Sequence, residues 1–554
     1  MGIPVATITS AAAKAGPWLE LPKELELMNV EVHSELNKIP EAKLTLLDGS
    51  VAKRKFEVSD LDFFAPGRFI KIALNYVDDD TLINVFLGLV VRHAIETAGE
   101  GGSVLRVELK DPTFKLTRQR KSAVFRKQTD DVAIQKLLAD AKIDVGQPFA
   151  KTTVQHDELI QYYASDWDFI VSRADVSGMV VLVELGALSI QPMKLGAVVR
   201  KLDYGLDDTS DLSLEIDGSQ QWAAMEGLGW DLPNHELGAP EAASDPAIPV
   251  GKLEPSTIAS KIATALGGDK YTLFHPATLD AGELKAWADA RLARSRLAML
   301  RGHATVMGDA TLAPLDTVEI LGVGERFNGK ALVSAVTHKL DHEGWQTELQ
   351  LGLPPEWFAR QPDIAEVPAA GLLPSITSLQ IAKVAPFEAD PLGEHRIKLQ
   401  LPALDDKQGF VWARMAFADA GKDRGFVFWP EAEDEVVVGF LDGDPRQAIV
   451  LGALHGKLSL PDQLAPSQTN DMRTLVSRSG IFVRFDDKRK QLTLSTPAGH
   501  TVTLDDQGKA LSLIDANGNG IIMDDKGITI NSASDLTIEA SGKIVIKGSA
   551  VDVQ

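Results

Sequence analysis

Ile528-Thr529-Ile530, Leu536-Thr537-Ile538 and Ile544-Val545-Ile546 recur at eight-residue intervals in GITINSASDLTIEASGKIVIKGSAVDVQ, residues 527–554. In an extended chain, alternate side chains share a face. Ile528, Ile530, Leu536, Ile538, Ile544 and Ile546 therefore form one apolar stripe. Thr529, Thr537 and Val545 turn the other way, with Asn531, Glu539 and Lys547. Three-residue strands joined by Ser, Ala, Gly and Asp cannot enclose a core within one chain. Three chains about one axis would bring six apolar side chains into each layer, a gross gain of about 10 kcal/mol, to be set against the entropy of ordering the strands. An intertwined prism of three chains also leaves few free strand edges.

Upstream of this stretch the period lengthens. Gly480, Gly499 and Gly518 are 19 residues apart, and Asp486-Asp487, Asp505-Asp506 and Asp524-Asp525 keep the same spacing. Strand-like pieces at 481–485, 491–495, 501–504, 511–514 and 521–523 lie between them. The recurrence makes the acidic pairs turn residues that bond their own backbone. A single-chain β-solenoid with one coil per 19 residues is the competing architecture.

Before the repeat, residues 376–455 read as short strands with Gly and Pro turns, the pattern of a small Greek-key barrel such as an OB-fold. A linker at 457–469 carries Pro461 and Pro466. The first ~230 residues, too many for one element, are mostly strand-like, as at 42–47, 68–76, 85–93 and 104–110. A helix is predicted at 131–141, with Thr129 or Asp130 as its cap. Another is predicted at 165–176, capped by Ser165 and ended by Gly178, with Trp167, Ile170, Val171 and Ala174 on one face. Trp167 and Phe169, two positions apart, are expected to divide into one core and one interface aromatic. The longest predicted helix spans 281–301, unbroken from Glu283 to Leu300. Strands at 330–340 and 344–353 form a hairpin through Asp341-His342-Glu343, and the stretches 234–252 and 352–373 read as linkers.

The chain has 554 residues, enough for three or four domains. It has no cysteine, which removes disulfides, thiol nucleophiles and Cys-based metal sites. A net charge of −22 argues against a nucleic-acid partner, which needs clustered cations. No apolar run approaches the ~18 residues of a membrane span. The Ala cluster at Ala11, Ala12 and Ala13 lacks a basic flank, so no secretory signal peptide is expected.

Several groups of residues resemble VgrG and related phage spike proteins. In the N-terminal region they are Asn37-Lys38-Ile39-Pro40-Glu41-Ala42, Leu47-Asp48-Gly49-Ser50 and Phe64-Ala65-Pro66-Gly67, spaced as in extracellular phage-tail-like injection systems. Ser165-Asp166-Trp167-Asp168-Phe169, with Arg173-Ala174 and Gly178, resembles the family's most distinctive helix. The barrel carries Asp390-Pro391-Leu392-Gly393, Trp412-Ala413-Arg414, Pro430-Glu431, Asp434-Glu435 and Gly443-Asp444-Pro445-Arg446. The resemblance implies a mainly β chain in four parts. Residues 1–370 would be a phage-hub-like region of β-barrel subdomains with inserted helices. Residues 371–456 would be an OB-fold neck, 457–473 a linker and 474–554 a trimeric β-prism or β-helix needle.

The function it implies is that of the homotrimeric central spike of a contractile injection system. The spike would join the inner tube to the tip and puncture the target envelope. Tube, tube-initiator and baseplate proteins would meet the hub. A PAAR-type tip protein would sit at Lys547, Val551, Val553 and Gln554, and effector cargo could travel with it. Such a chain is assembled in the bacterial cytoplasm and leaves in a released particle, with no cofactor. Relatives with a muramidase-like insertion or an appended effector differ, because only the 457–469 linker separates barrel from needle and the sequence ends at Gln554.

Catalytic readings are weak by comparison. His338 and His342 have H-x3-H spacing but flank a strand end and turn rather than a helix face. Ser334, His338 and Asp341 supply triad residue types without a strained nucleophile turn. The H-x-H iron site of some relatives is missing, since His500 is the only histidine beyond the barrel. A carbohydrate-binding or depolymerising tail-spike is the alternative function. It would need an aromatic groove with paired acids, and the last 60 residues contain no aromatic.

Overall fold

The computed structural model describes residues 2–50, 54–79, 81–98, 102–246, 248–249, 254–361, 364–365, 367–404, 409–456 and 467–553. The 457–466 part of the predicted linker, Lys252 and Gln554 lie outside the described residues. The chain divides into two compact units, Met1–Glu366 and Val367–Gln554.

In the first unit, strands alternate buried and open positions, as in Glu41–Leu47, where Ala42, Leu44 and Leu46 point inward. Such strands pair into one thirteen-stranded sheet, so the two expected barrel-like halves share a continuous sheet. The junction is the antiparallel pairing of Leu27–Glu35 with Gly329–Asp341. One core, with Leu44, Ile70, Ile72 and Leu105, lies on the N-terminal strands. A second, with Leu297, Val318, Val333 and Leu349, lies on the later ones. The predicted hairpin forms with His342-Glu343 at its tip, and Asp341 Oδ1 accepts from the Glu343 N–H at 2.8 Å.

A third core gathers the helices Asp130–Ala141 and Asp166–Val176. Ser165 caps the second helix, its Oγ accepting from the Asp168 N–H at 3.1 Å. Thr129 precedes the first helix without capping it, because its hydroxyl bonds Asp131 Oδ1 instead. Trp167 and Phe169 do not divide as expected. Both are buried in this core, and Phe169 stacks on Phe125 with centroids 5.6 Å apart.

Three other expectations change. The long helix is Ala281–Leu297, and by Leu300 the chain has entered the strand Leu300–Met307, paired on both sides. A further helix, Pro255–Leu266, follows the first predicted linker. That linker contains the short strands Glu236–Leu237 and Glu241–Ala242, and Ile248 is buried in the second core. The second linker is likewise anchored, because Leu353, Trp357 and Phe358 are buried.

His338 and His342 do not form a site. His338 is buried with Nδ1 3.0 Å from Thr347 Oγ1, whereas His342 is exposed at the hairpin tip. Burial pushes the His338 pKa down to about 4. The unfolded chain, with an ordinary histidine near 6.5, then binds more protons between those values, so this residue makes stability rise with pH over about 4 to 6.5. Asp111, pushed up to about 6 by burial, contributes the opposite slope over the acid part of that range. Thermal melts between pH 4 and 7 are expected to show His338→Gln gaining stability with pH less steeply than the parent.

In the second unit, Gln380–Val384, Ile397–Gln400, Phe410–Met415, Glu435–Phe440 and Ala448–Ala453 close a five-stranded barrel. Its interior is filled by Val384, Leu399, Ala413, Val436, Val438 and Val450. Among the described residues no helix is long and apolar enough to cross a membrane.

Candidate functional site

The strands Met472–Val476, Phe482–Asp486, Gln491–Ser495, Thr501–Asp505, Ala510–Ile514, Gly520–Asp524 and Gly527–Asn531 form one antiparallel meander. Each 19-residue unit is therefore a hairpin, which excludes the solenoid coil. The register decides which side chains share a face. Leu475, Val483, Leu494, Val502, Leu513, Ile521 and Ile530 align in one row across the sheet. Phe485, Leu492, Leu504, Leu511, Met523 and Ile528 align in a second row, beginning at Arg473. The rows lie two residues apart along each strand, so they occupy the same face. The row between them, Thr474, Arg484, Thr493, Thr503, Ser512, Ile522 and Thr529, belongs to the opposite face.

One face of the sheet is thus a continuous apolar surface, and no other element among the described residues packs over it. Leu504 is 41% exposed and Ile530 55%. An antiparallel sheet is stable with one face solvated only when the other is packed. A trough of about 640 Å³ follows the first of these rows from Val483 to Ile530.

The turns explain the spacing. Gly480, Gly499 and Gly518 have φ of 84°, 94° and 90°, the left-handed region open to glycine, and all three lie on one edge of the sheet. On the other edge the acidic pairs brace the turns. Asp486, Asp505 and Asp524 each accept a backbone N–H two or three residues on, from Arg489, Gly508 and Lys526. At the third glycine turn, the Asn519 and Asn517 amides and backbone N–H groups hold the Asp515 carboxyl down at about 2.

Of the six stripe residues, Ile528 and Ile530 share the apolar face, and Leu536 reaches the same trough. Beyond Asn531 the described chain makes no strand pairs of its own. Ile538, Ile544 and Ile546 are exposed, as are Lys547, Val551 and Val553. Sequence reading missed the apolar face upstream of Ile528. Its signal was present as the alternation Val502/Leu504, Leu511/Leu513 and Ile521/Met523.

The other motif residues hold local structure. Asp166, 2% exposed, accepts from Gln161 Nε2 at 3.0 Å and pairs with Lys121 at 2.5 Å. In the barrel, Asp390 accepts from the N–H groups of Leu392, Glu394 and Arg396 and from the Arg396 guanidinium at 2.7 Å. That guanidinium keeps the Asp390 carboxyl well below the usual carboxylate range and lies over the Trp412 ring at 5.8 Å. Gly393 and Gly443 turn the chain with φ of 68°. Pro430 is buried, and Asp434 Oδ2 accepts from the Glu431 N–H at 2.8 Å. The Glu435 carbonyl accepts from the Leu454 N–H. Asp444 pairs with Arg446 across the half-buried Pro445.

Three family descriptions match successive parts of the chain. The Alg8 N-terminal domain matches residues 10–342. The type VI secretion system/phage-baseplate injector OB domain matches 380–455, and the phage baseplate V C-terminal trimerisation domain matches 491–554. The actin cross-linking toxin VgrG1 of Vibrio cholerae serotype O1 is 31% identical over 100 residues. That alignment spans 17% of this chain and 9% of the toxin, so the chain covers only a small part of that relative. The tail protein of Neisseria meningitidis MC58 covers 65% of this chain with 99% of its own, at 15% identity and TM-score 0.44. The Francisella PdpA-VgrG complex, lidded, covers 95% of this chain with 80% of its own, at 10% identity and TM-score 0.40. The Alg8 N-terminal domain spans more than half of the chain, which therefore belongs to that family, and an injector OB domain and a baseplate V trimerisation domain follow it, as in VgrG/phage baseplate V proteins.

Proposed function

We propose that three copies pack the apolar faces of residues 475–530 against one another as the walls of a hollow-free prism. Beyond Asn531, Leu536, Ile538, Ile544 and Ile546 continue the core, and their strands pair between copies. The observation that carries this reading is the uncovered apolar face. Thirteen side chains per copy lie on it, and finishing their burial gains on the order of 10 kcal/mol per copy, roughly 30 kcal/mol per trimer. Two association steps cost about 8–30 kcal/mol in lost freedom, so closure is favourable for all but the highest of these costs.

The spike works mechanically and carries no catalytic centre of its own. Its needle resists buckling because its interior is dry and its turns are braced on both edges. The hub meets the inner tube, tube-initiator and baseplate proteins, and the sheath drives the assembly through the target envelope. Val551 and Val553, with Lys547 and Gln554, seat a PAAR-type tip protein, and the particle acts after release from the cell that made it. Electron microscopy of purified particles with a gold-labelled antibody to this chain is expected to mark one end of the inner tube. Label along the sheath, or none on the particle, would contradict the assignment.

A further inference from the structure

The barrel carries an aromatic surface that its own core does not use. Phe410, Trp412, Phe417, Phe426, Phe428 and Trp429 fall within 20 residues of a chain that is 6% aromatic. The last three are exposed at 44%, 53% and 41%. They follow a small hairpin, Ala420–Gly421 with Arg424–Gly425. Phe426 and Phe428 stack with centroids 4.5 Å apart and form a ridge. Trp429 meets Phe417 edge-on at 5.1 Å and lines a separate open groove of about 510 Å³ with Phe387 and Ile397. Phe426 and Phe428 are not among the groove's lining. Ridge and groove are thus different surfaces of one barrel.

The place of this segment in the spike follows from one ion pair. Glu431, two residues after Trp429, pairs at 2.9 Å with Arg478 in the first glycine turn of the needle sheet. Those turns form one long edge of the sheet. In a three-sided prism each long edge meets a neighbouring copy, so a segment anchored there lies at a seam between copies. A contact repeated around a closed three-fold ring joins two different surfaces, one from each neighbour. The barrel supplies such a pair.

We propose that the Phe426–Phe428 ridge of each barrel packs into the Phe387–Trp429 groove of the next copy, extending the trimer contact from the needle into the neck. The inference rests on the three-fold needle, and the test separates the two. Phe428→p-benzoylphenylalanine is made in the full chain, and trimers are assembled from mixed isotopically light and heavy chains. Light scattering first establishes the mass of the sample. Irradiation is expected to give light–heavy crosslinked peptides joining position 428 to the groove region, residues 387–397. The same result is expected with the crosslinker at position 426. Crosslinks within one chain only, to a different protein, or none at either position in a trimeric sample would overturn the neck contact alone. A monomeric sample would overturn the needle, and the neck contact with it.

Discussion

Val502→Asp is expected to leave the full chain as a folded but solitary molecule. Val502 sits at the centre of the first apolar row, between Leu494 and Leu513. In the trimer the substitution brings three carboxylates into a dry interior with no cationic partner. An unpaired polar group buried this way costs several kcal/mol per copy, and a charge costs more. Three such costs remove most of the roughly 30 kcal/mol that closes the needle. Thr503→Asp is the control, because residue 503 belongs to the opposite face of the sheet. It is expected to remain trimeric, with stability within about 0.5 kcal/mol of the parent. Sedimentation velocity on the two variants reads the difference, and a trimeric Val502→Asp protein would show that the faces are assigned the wrong way round.

Asp175→Ala is expected to destabilise the first unit by about 3–5 kcal/mol. Asp175 and Arg294 are paired at 1% and 3% exposure, joining the helix Asp166–Val176 to the helix Ala281–Leu297. Asp175 also accepts from the Phe358 N–H at 3.0 Å, which ties in the segment after the sheet. Removing the carboxylate strands a guanidinium that no solvent reaches, and that loss exceeds what the pair itself contributes. Arg294 retains the carbonyls of Pro354 and Glu356 and the face of the Trp357 ring, none of which carries a compensating charge. Denaturant unfolding with a probe in the first unit measures the change. A shift under about 1 kcal/mol would mean that the pair is held open to water.

The strands and turns of the 472–531 sheet were legible because their signal is local, although the apolar face they share was not read from it. Alternation in five-residue pieces, left-handed glycines and aspartate-braced turns are all set by neighbours in sequence, and they repeat. The cap at Ser165 and the turns at Asp390 and Asp444 were legible for the same reason. The end of the 281–297 helix was not. Ala298 and Met299 carry no stop signal, and the strand Leu300–Met307 forms because partners at Asp211–Ile216 and Gly344–Leu351 wait on both sides. Phe169 was misplaced because the spacing rule assumes a helix with one buried face. This helix buries Trp167, Phe169, Ile170, Val171 and Ala174 together. The proline-bearing stretch after residue 352 looked like a tether, yet Trp357 is buried with Arg291 and Arg294 stacked 5.3 and 6.0 Å from its ring. Side chains from distant parts of the chain make that anchor, and local composition does not record them.

Multi-angle light scattering of the purified full chain at micromolar concentration tests the central claim most directly. Three times the chain mass, with loss of that mass in Val502→Asp but not in Thr503→Asp, is the result predicted. A monodisperse, folded species of a single chain mass would mean that the apolar needle face is not covered by sister copies, and the spike as described here could not form.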